Sequence, residues 1–265
     1  MTMSEEFEIN VGDGHTIRGE IHGDGPPLVF SNSLGVTRAM WRDQVEDFSQ
    51  DYKVILYDTR GHGASDTSAG SYSIDRLVRD VLDILDALNI NRTHFCGLSL
   101  GGMTGQALAL RAPERLLSLT LAATSSYMGP PEGWQKRIET VLAKGMNSIS
   151  DAVLAKWFVD EGSAKENIVN AARDWLTNTN PVGYTGCCAA IRDMDMRAIV
   201  GGITPPTLIL AGNHDSATPI EHASFLHEEI SGSILNKMAG GHLLNLEQPS
   251  LFTQSLRQFL HERRD

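Results

Sequence analysis

HFCGLSLGGM, residues 94–103, places a serine midway between two glycines, directly after an apolar run and directly before a helical pattern. Gly97-Leu98-Ser99-Leu100-Gly101 fits G-x-S-x-G, a strand–serine–helix turn that presents a nucleophile. The glycines have a steric reason: side chains at the flanking positions would collide with neighbouring strands. Such a turn lifts Oγ away from the sheet, and the helix that follows offers backbone N–H groups and the positive end of its dipole. The bland alternative is a glycine that ends a strand beside an incidental serine. Five residues alone do not exclude it, but a strand before and a helix after weigh against it.

The organisation around this stretch is that of an α/β chain. FEINV (7–11), TIRGEIHG (16–23) and LVFSN (28–32) are short strands parted by the turn signals GDGH and DGPP, which suggests an antiparallel opening hairpin. YKVILYD (52–58) is a continuous apolar strand of the kind buried on both faces. In SIDRLVRDVLDILDAL (73–88), Ile74, Leu77, Val78, Val81, Leu82, Leu85 and Leu88 fall on one helix face with Ser73 as N-cap. THFCG is a strand, Leu100 to Arg111 a helix and LLSLTLAA (116–123) a strand. Such alternation implies crossover units: a mostly parallel, eight-stranded sheet with helices on both faces.

Near Thr124 the alternation stops. From 126 to 197 the helix-like segments carry Trp134, Trp157 and Trp175, and the alternation resumes at TPPTLILAG (204–212), continuing through a helix from Ile220, SILNKMA and a last helix after Pro249. We therefore expect a core in two parts, 1–125 and 198–265, with a helical cap at 126–197 inserted between them.

The composition limits the function. A chain of 265 residues with a formal net charge of −11 is a poor partner for nucleic acid, which demands clustered Lys and Arg. An anionic small molecule would need a local positive pocket. Cys96, Cys187 and Cys188 form neither a disulfide framework nor a metal-ligand spacing. MTMSEEFEIN lacks the pattern of a signal peptide, and no apolar run reaches membrane-spanning length. A soluble, cytoplasmic protein with no metal, no membrane and no obligate protein partner is expected.

A serine hydroxyl needs a base to take its proton, and that base needs an orienting group. Among nine histidines, His15 and His22 lie by the opening hairpin, His94 at the wrong end of its strand, and His222, His227 and His261 on helical surfaces. His62, in DTRGHGASD, follows a strand on a loop; we read it as structural, like Asp58, Arg60 and Ser65. His242, in MAGGHLLNLEQP, follows the last strand on a glycine-rich loop and is the candidate base. Asp215, in LILAGNHDSATP, stands just past the carboxyl end of a strand, where catalytic groups gather in open parallel sheets. The other plausible acid position, after LLSLTLAA, holds Thr124 and Ser125. The order Ser99, Asp215, His242 is that of the α/β-hydrolases. An acyl-transfer site also needs oxyanion donors: the N–H of Leu100, and that of Ser33 in LVFSNSLGV, or of Leu34 if the loop is offset by one residue.

SNSLG, YDTRGHGASD, CGLSLGGM, YTGCCAAIRDMDMR, AGNHD and GGHLLNLEQP, in that order, resemble the 3-oxoadipate enol-lactonases of the β-ketoadipate pathway over nearly the whole chain. SNSLG and the cap stretch are the more specific parts; the elbow and triad are shared across the superfamily. The resemblance implies hydrolysis of a small anionic enol-lactone to 3-oxoadipate, with the family's triad on Ser99, Asp215 and His242 and no cofactor or metal. The substrate carboxylate then wants an Arg, a Lys or an aromatic N–H in the cap. Trp134, Arg137 and Arg192 rank ahead of Arg173 and Arg197, although any tryptophan is as readily a core anchor and Arg192 can pair with Asp193 or Asp195. Competing readings are a carboxylesterase or C–C bond hydrolase, a cofactor-free perhydrolase, and a small-molecule receptor on the same scaffold.

Overall fold

The computed structural model describes residues 4–159 and 166–262. Part of the expected cap, 160–165, therefore lies outside the described residues. The strands are β1 (Ser4–Asn10), β2 (Thr16–His22), β3 (Pro27–Ser31), β4 (Lys53–Tyr57), β5 (Thr93–Leu98), β6 (Leu116–Ala122), β7 (Thr207–Gly212) and β8 (Ile234–Met238). They form one sheet in the order β1-β2-β4-β3-β5-β6-β7-β8. β1–β2 and β2–β4 pair antiparallel and every other pair is parallel.

This order locates the site. From β3 the chain steps outward to β4, then crosses to β5 on the other side of β3. The direction of winding reverses there, and the carboxyl ends of β3 and β5 border the crevice that such a reversal opens. Ser31, at the end of β3, is in register with Gly97 of β5. Both central strands are buried on both faces, as their apolar runs require, whereas β1 and β8 at the edges are largely exposed.

Before the cap run α1 (Arg42–Phe48), α2 (Ile74–Ala87) and α3 (Leu100–Arg111). Ser73 caps α2 by accepting from the Arg76 N–H, and Ile74, Leu77, Val78, Val81, Ile84 and Leu85 are buried on one face. Asp80, charged but buried on that face, is held by Arg60: Nε to Oδ2 at 2.9 Å and a terminal nitrogen to Oδ1 at 2.7 Å. Asp13 meets Arg60 from the other side at 2.8 Å. Burial disfavours its carboxylate, yet the hydrogen bond and charge of Arg60 prevail and bring its pKa down to about 2.

Between β6 and β7 lie α4 (Pro131–Lys144), α5 (Ser150–Trp157), α6 (Glu166–Asn178) and α7 (Pro181–Arg192). α7 explains its small-residue sequence. A Cβ on Gly183 would lie 2.3 Å from the Gly61 carbonyl oxygen, so two backbones meet there. The Tyr72 N–H donates to Gly186 O at 3.0 Å, and Cys187 and Cys188 are buried. These helices cover the carboxyl edge of the sheet: the Trp157 carbonyl accepts the N–H of His242 at 2.9 Å and of Leu243 at 3.2 Å. After β7 come α8 (Ile220–Glu229), α9 (Leu244–Glu247) and α10 (Pro249–His261). No helix among the described residues is long and apolar enough to cross a membrane.

Candidate active site

Ser99 joins β5 to α3 with φ 56° and ψ −112°, a conformation that a residue with a side chain rarely adopts. Holding it costs about 1–3 kcal/mol, which the surroundings must supply. Its N–H donates to Ala122 O at 2.9 Å, and its carbonyl accepts from Thr124 Oγ1 at 2.7 Å and the Met103 N–H at 2.9 Å. The glycines make the turn possible. A Cβ on Gly97 would lie 2.2 Å from Gly101 O, one on Gly101 would lie 2.2 Å from Ser31 O, and one on Gly102 would press on the Thr124 side chain at 2.6 Å.

Asp215 lies beyond β7 and His242 beyond β8, on adjacent parallel strands whose carboxyl ends face the same crevice. The ring Nδ1 of His242 lies 2.9 Å from Asp215 Oδ2. The other carboxylate oxygen accepts the N–H groups of Ala217 at 2.8 Å and Thr218 at 2.9 Å, and the Thr218 hydroxyl donates to Oδ2 at 2.6 Å. Burial alone would raise the Asp215 pKa. The charge and hydrogen bond of His242, with those from Thr218, outweigh it and hold the carboxyl below its ordinary range. An ionised Asp215 keeps the proton on Nδ1, so Nε2 is the nitrogen left to accept another. Thr218 escaped the sequence reading, because Asp and Thr side chains so spaced also bond within an ordinary turn.

The loop after β3 is locked from three directions. Asn32 O accepts the Gly101 N–H at 3.0 Å, which holds Ser33 against the start of α3. The Asn32 side chain donates to Tyr57 O at 2.8 Å and accepts the Trp41 indole N–H at 2.9 Å. The Gly35 N–H donates to His62 Nε2 at 2.9 Å, while Nδ1 faces Arg60 O at 3.2 Å. His62 is thus a neutral brace, its pKa lowered by burial. Leu100 is the first residue of α3, where an N–H has no intrahelical acceptor.

A cavity of about 50 Å³ brings the expected residues together: Ser33, Ser99 and His242 line it from the core, with Trp134, Arg137 and Trp157 from the cap. It adjoins a larger cavity of about 440 Å³ that shares Met128, Trp134, Arg137, Val153, Trp157 and Ala217 and adds Lys156 and His222. The three cap residues ranked first by sequence separate here. Arg137 lines both cavities and lies over the Trp134 ring at 4.7 Å. Trp134 lines both as well, but its indole N–H donates to Met128 O at 2.7 Å, so it offers a surface rather than a donor. Arg192 lines neither. Its guanidinium is taken up by both oxygens of Asp193 at 2.7 Å and by Gln135 at 2.6 Å. The expectation of an inward Arg192 is corrected: α7 turns its small residues to the core and leaves its last side chain at the surface. His222, read as a surface histidine, lines the outer cavity instead. Lys156 and Trp157 carried no motif, and only the packing of α5 reveals them.

The chain matches the family model of the α/β-hydrolase fold over residues 26–249. 3-Oxoadipate enol-lactonase 2 of Acinetobacter baylyi is 39% identical, over 88% of this chain and 88% of its own length. The crystal structure of the enol-lactonase from Burkholderia xenovorans LB400 superimposes with a TM-score of 0.93 at 36% identity, covering 96% of this chain and 100% of that one. A relative from Agrobacterium fabrum that carries the name carbamate hydrolase RutD is 31% identical, over 91% of this chain and 97% of its own. The chain belongs to the α/β-hydrolase family, as a hydrolase of ester or lactone bonds related to the 3-oxoadipate enol-lactonases.

Proposed function

We propose that this protein hydrolyses 3-oxoadipate enol-lactone to 3-oxoadipate, with Ser99 as nucleophile, His242 as general base and acid, and Asp215 as the group that orients and stabilises the imidazole. One observation carries the reading: Ser99 and His242 line the same small cavity, at whose neck Arg137 stands without a carboxylate partner among the described residues. The inner cavity accepts the reacting carbonyl, and the carboxymethyl group extends past Arg137 toward the larger one.

In the first half, Ser99 Oγ attacks the lactone carbonyl carbon as His242 Nε2 takes the hydroxyl proton. The oxyanion is held by the N–H groups of Ser33 and Leu100, an arrangement whose donors are each worth about 3 kcal/mol in comparable sites. Collapse breaks the C–O bond of the ring. The enol oxygen leaves with the proton from His242 and tautomerises to the ketone, which makes ring closure unfavourable. In the second half, water attacks the acyl-serine, His242 takes its proton and returns it to Ser99, and the new carboxylate is released. The cycle as written needs neither cofactor nor metal. We place the protein in the cytoplasm, where its three buried free cysteines remain reduced.

Ultraviolet-monitored loss of the enol-lactone, generated in the cuvette by the upstream enzymes, tests the assignment, with p-nitrophenyl acetate as comparison. Rapid lactone loss with feeble ester cleavage supports it. Ester turnover with the lactone decaying at its spontaneous rate refutes the substrate and leaves a general esterase.

A further inference from the structure

The two adjoining cavities differ in charge as well as size. Among the described residues no Asp or Glu lines the outer one, although the chain carries 33 acidic residues against 22 basic ones. Two cations do: Arg137 at the neck and Lys156 in the last turn of α5. Elsewhere most described arginines face a carboxylate, as Arg18, Arg60, Arg115 and Arg257 do. Neither Arg137 nor Lys156 has such a partner among the described residues. His222 adds wall rather than charge: burial pulls its pKa below 6.5, against the opposing charges of Asp215 and Glu221.

A lysine in a last helical turn complements the helix dipole wherever it points. Lys156 is distinguished by facing a mouth with no Asp or Glu among its described lining residues, where a low-dielectric cleft lined by one sign of charge concentrates counter-ions. Arg137 is half-buried over Trp134 and belongs to both cavities; Lys156 is exposed and belongs to the outer one alone.

We propose that Lys156 is a specificity-determining residue, a rim cation that draws small carboxylates into the mouth and passes them to Arg137, favouring anionic over neutral esters. The inference rests on the hydrolytic reading of the inner cavity. It also bears on the product, because each turnover adds a carboxylate and the resulting dianion leaves past the same rim.

The test separates this idea from the substrate assignment by using adipate, a stable dicarboxylate, as competitive inhibitor of p-nitrophenyl acetate hydrolysis. Lys156→Glu and Lys156→Met are compared with Lys237→Glu on the edge strand β8, which lines neither cavity and changes the net charge equally. At about 0.01 M salt, where the Debye length is roughly 30 Å, Lys156→Glu should raise the adipate inhibition constant about five- to tenfold. Lys156→Met should fall between, kcat for the neutral ester should stay within about twofold, and the difference should close at about 1 M salt. Equal inhibition constants in Lys156→Glu and Lys237→Glu overturn the proposal, as does a loss of kcat on the neutral ester that matches the rise in inhibition constant. Enol-lactone runs on the same samples judge the substrate separately: a wild type inhibited by adipate but inert on the lactone removes that substrate and keeps the rim.

Discussion

The floor and the roof of the site are built on different principles. On the floor, Ser99, Asp215 and His242 each stand just past a parallel strand, and sheet register with backbone hydrogen bonds sets where they point. On the roof, Trp134 and Arg137 project from α4 and Lys156 from α5, helices whose rotation depends on how they pack against their neighbours rather than on sheet register. Floor residues are therefore few and fixed in direction by the backbone, whereas roof positions of similar chemistry differ in their surroundings. Arg137 lines the site while Arg192 is paired at the surface.

The strongest way to break the comparison is Ser99→Ala. In serine hydrolases loss of the nucleophile costs on the order of 10⁶ in kcat, and steady-state kinetics should show a loss of that order with the fold intact by circular dichroism. A residual rate within about tenfold of wild type would remove Ser99 from the floor. Arg60→Ala probes the support beneath. The Arg60 side chain is 0% exposed and Asp80 2%, and breaking a buried pair costs about 3–5 kcal/mol. Arg76 also reaches Asp80, at 2.8 Å, so urea denaturation should give a value near 3 kcal/mol.

On the roof the expected effects are smaller and unequal. Arg137→Ala should lower kcat/KM for an anionic lactone about 10- to 100-fold, the worth of a hydrogen-bonded ion pair, and leave p-nitrophenyl acetate hydrolysis nearly unchanged. Arg192→Ala, which removes a surface pair 24% and 59% exposed, should change kcat/KM less than about twofold and stability by under about 0.5 kcal/mol. An equally large loss in Arg192→Ala would put its guanidinium in the site beside Arg137.

His62 offers a pH test of how the floor is braced. Burial lowers its pKa from 6.5, so the unfolded chain binds a proton more readily than the folded one. Its contribution is fully present above pH 6.5 and is lost as pH falls through the folded value. Stability followed by urea denaturation from pH 8 to pH 5 should therefore decline below about 6.5 in the wild type. His62→Gln should flatten that part of the curve; an unchanged slope would show that the Gly35–His62 bond is not what titrates.

The floor was legible because its constraints are local and periodic. Gly97 and Gly101 flank Ser99 for a steric reason that five residues display, and strands alternating with helices imply the parallel sheet that exposes strand ends. The same rule singled out Asp215 and His242, whose side chains meet at 2.9 Å. Thr218 was missed because Asp and Thr so spaced also bond within ordinary turns, and SNSLG carries no sign that the Asn32 side chain reaches Tyr57 and Trp41. Trp134 was readable as a roof residue but not as one whose indole N–H is already committed to Met128.

Sequence by itself determined the α/β alternation, the break after β6 and the three polar residues at strand ends, because backbone sterics and hydrophobic period act over a few residues. Only tertiary structure decided that His62 braces the loop after β3, that Arg192 turns outward, and that Lys156 and Arg137 line one mouth with no acid among its described residues. The first depends on how two loops meet, and the other two on the rotation of one helix against another. A change of about 100° per residue around a helix exchanges a pocket-facing side chain for a surface one, and no local pattern records which is chosen.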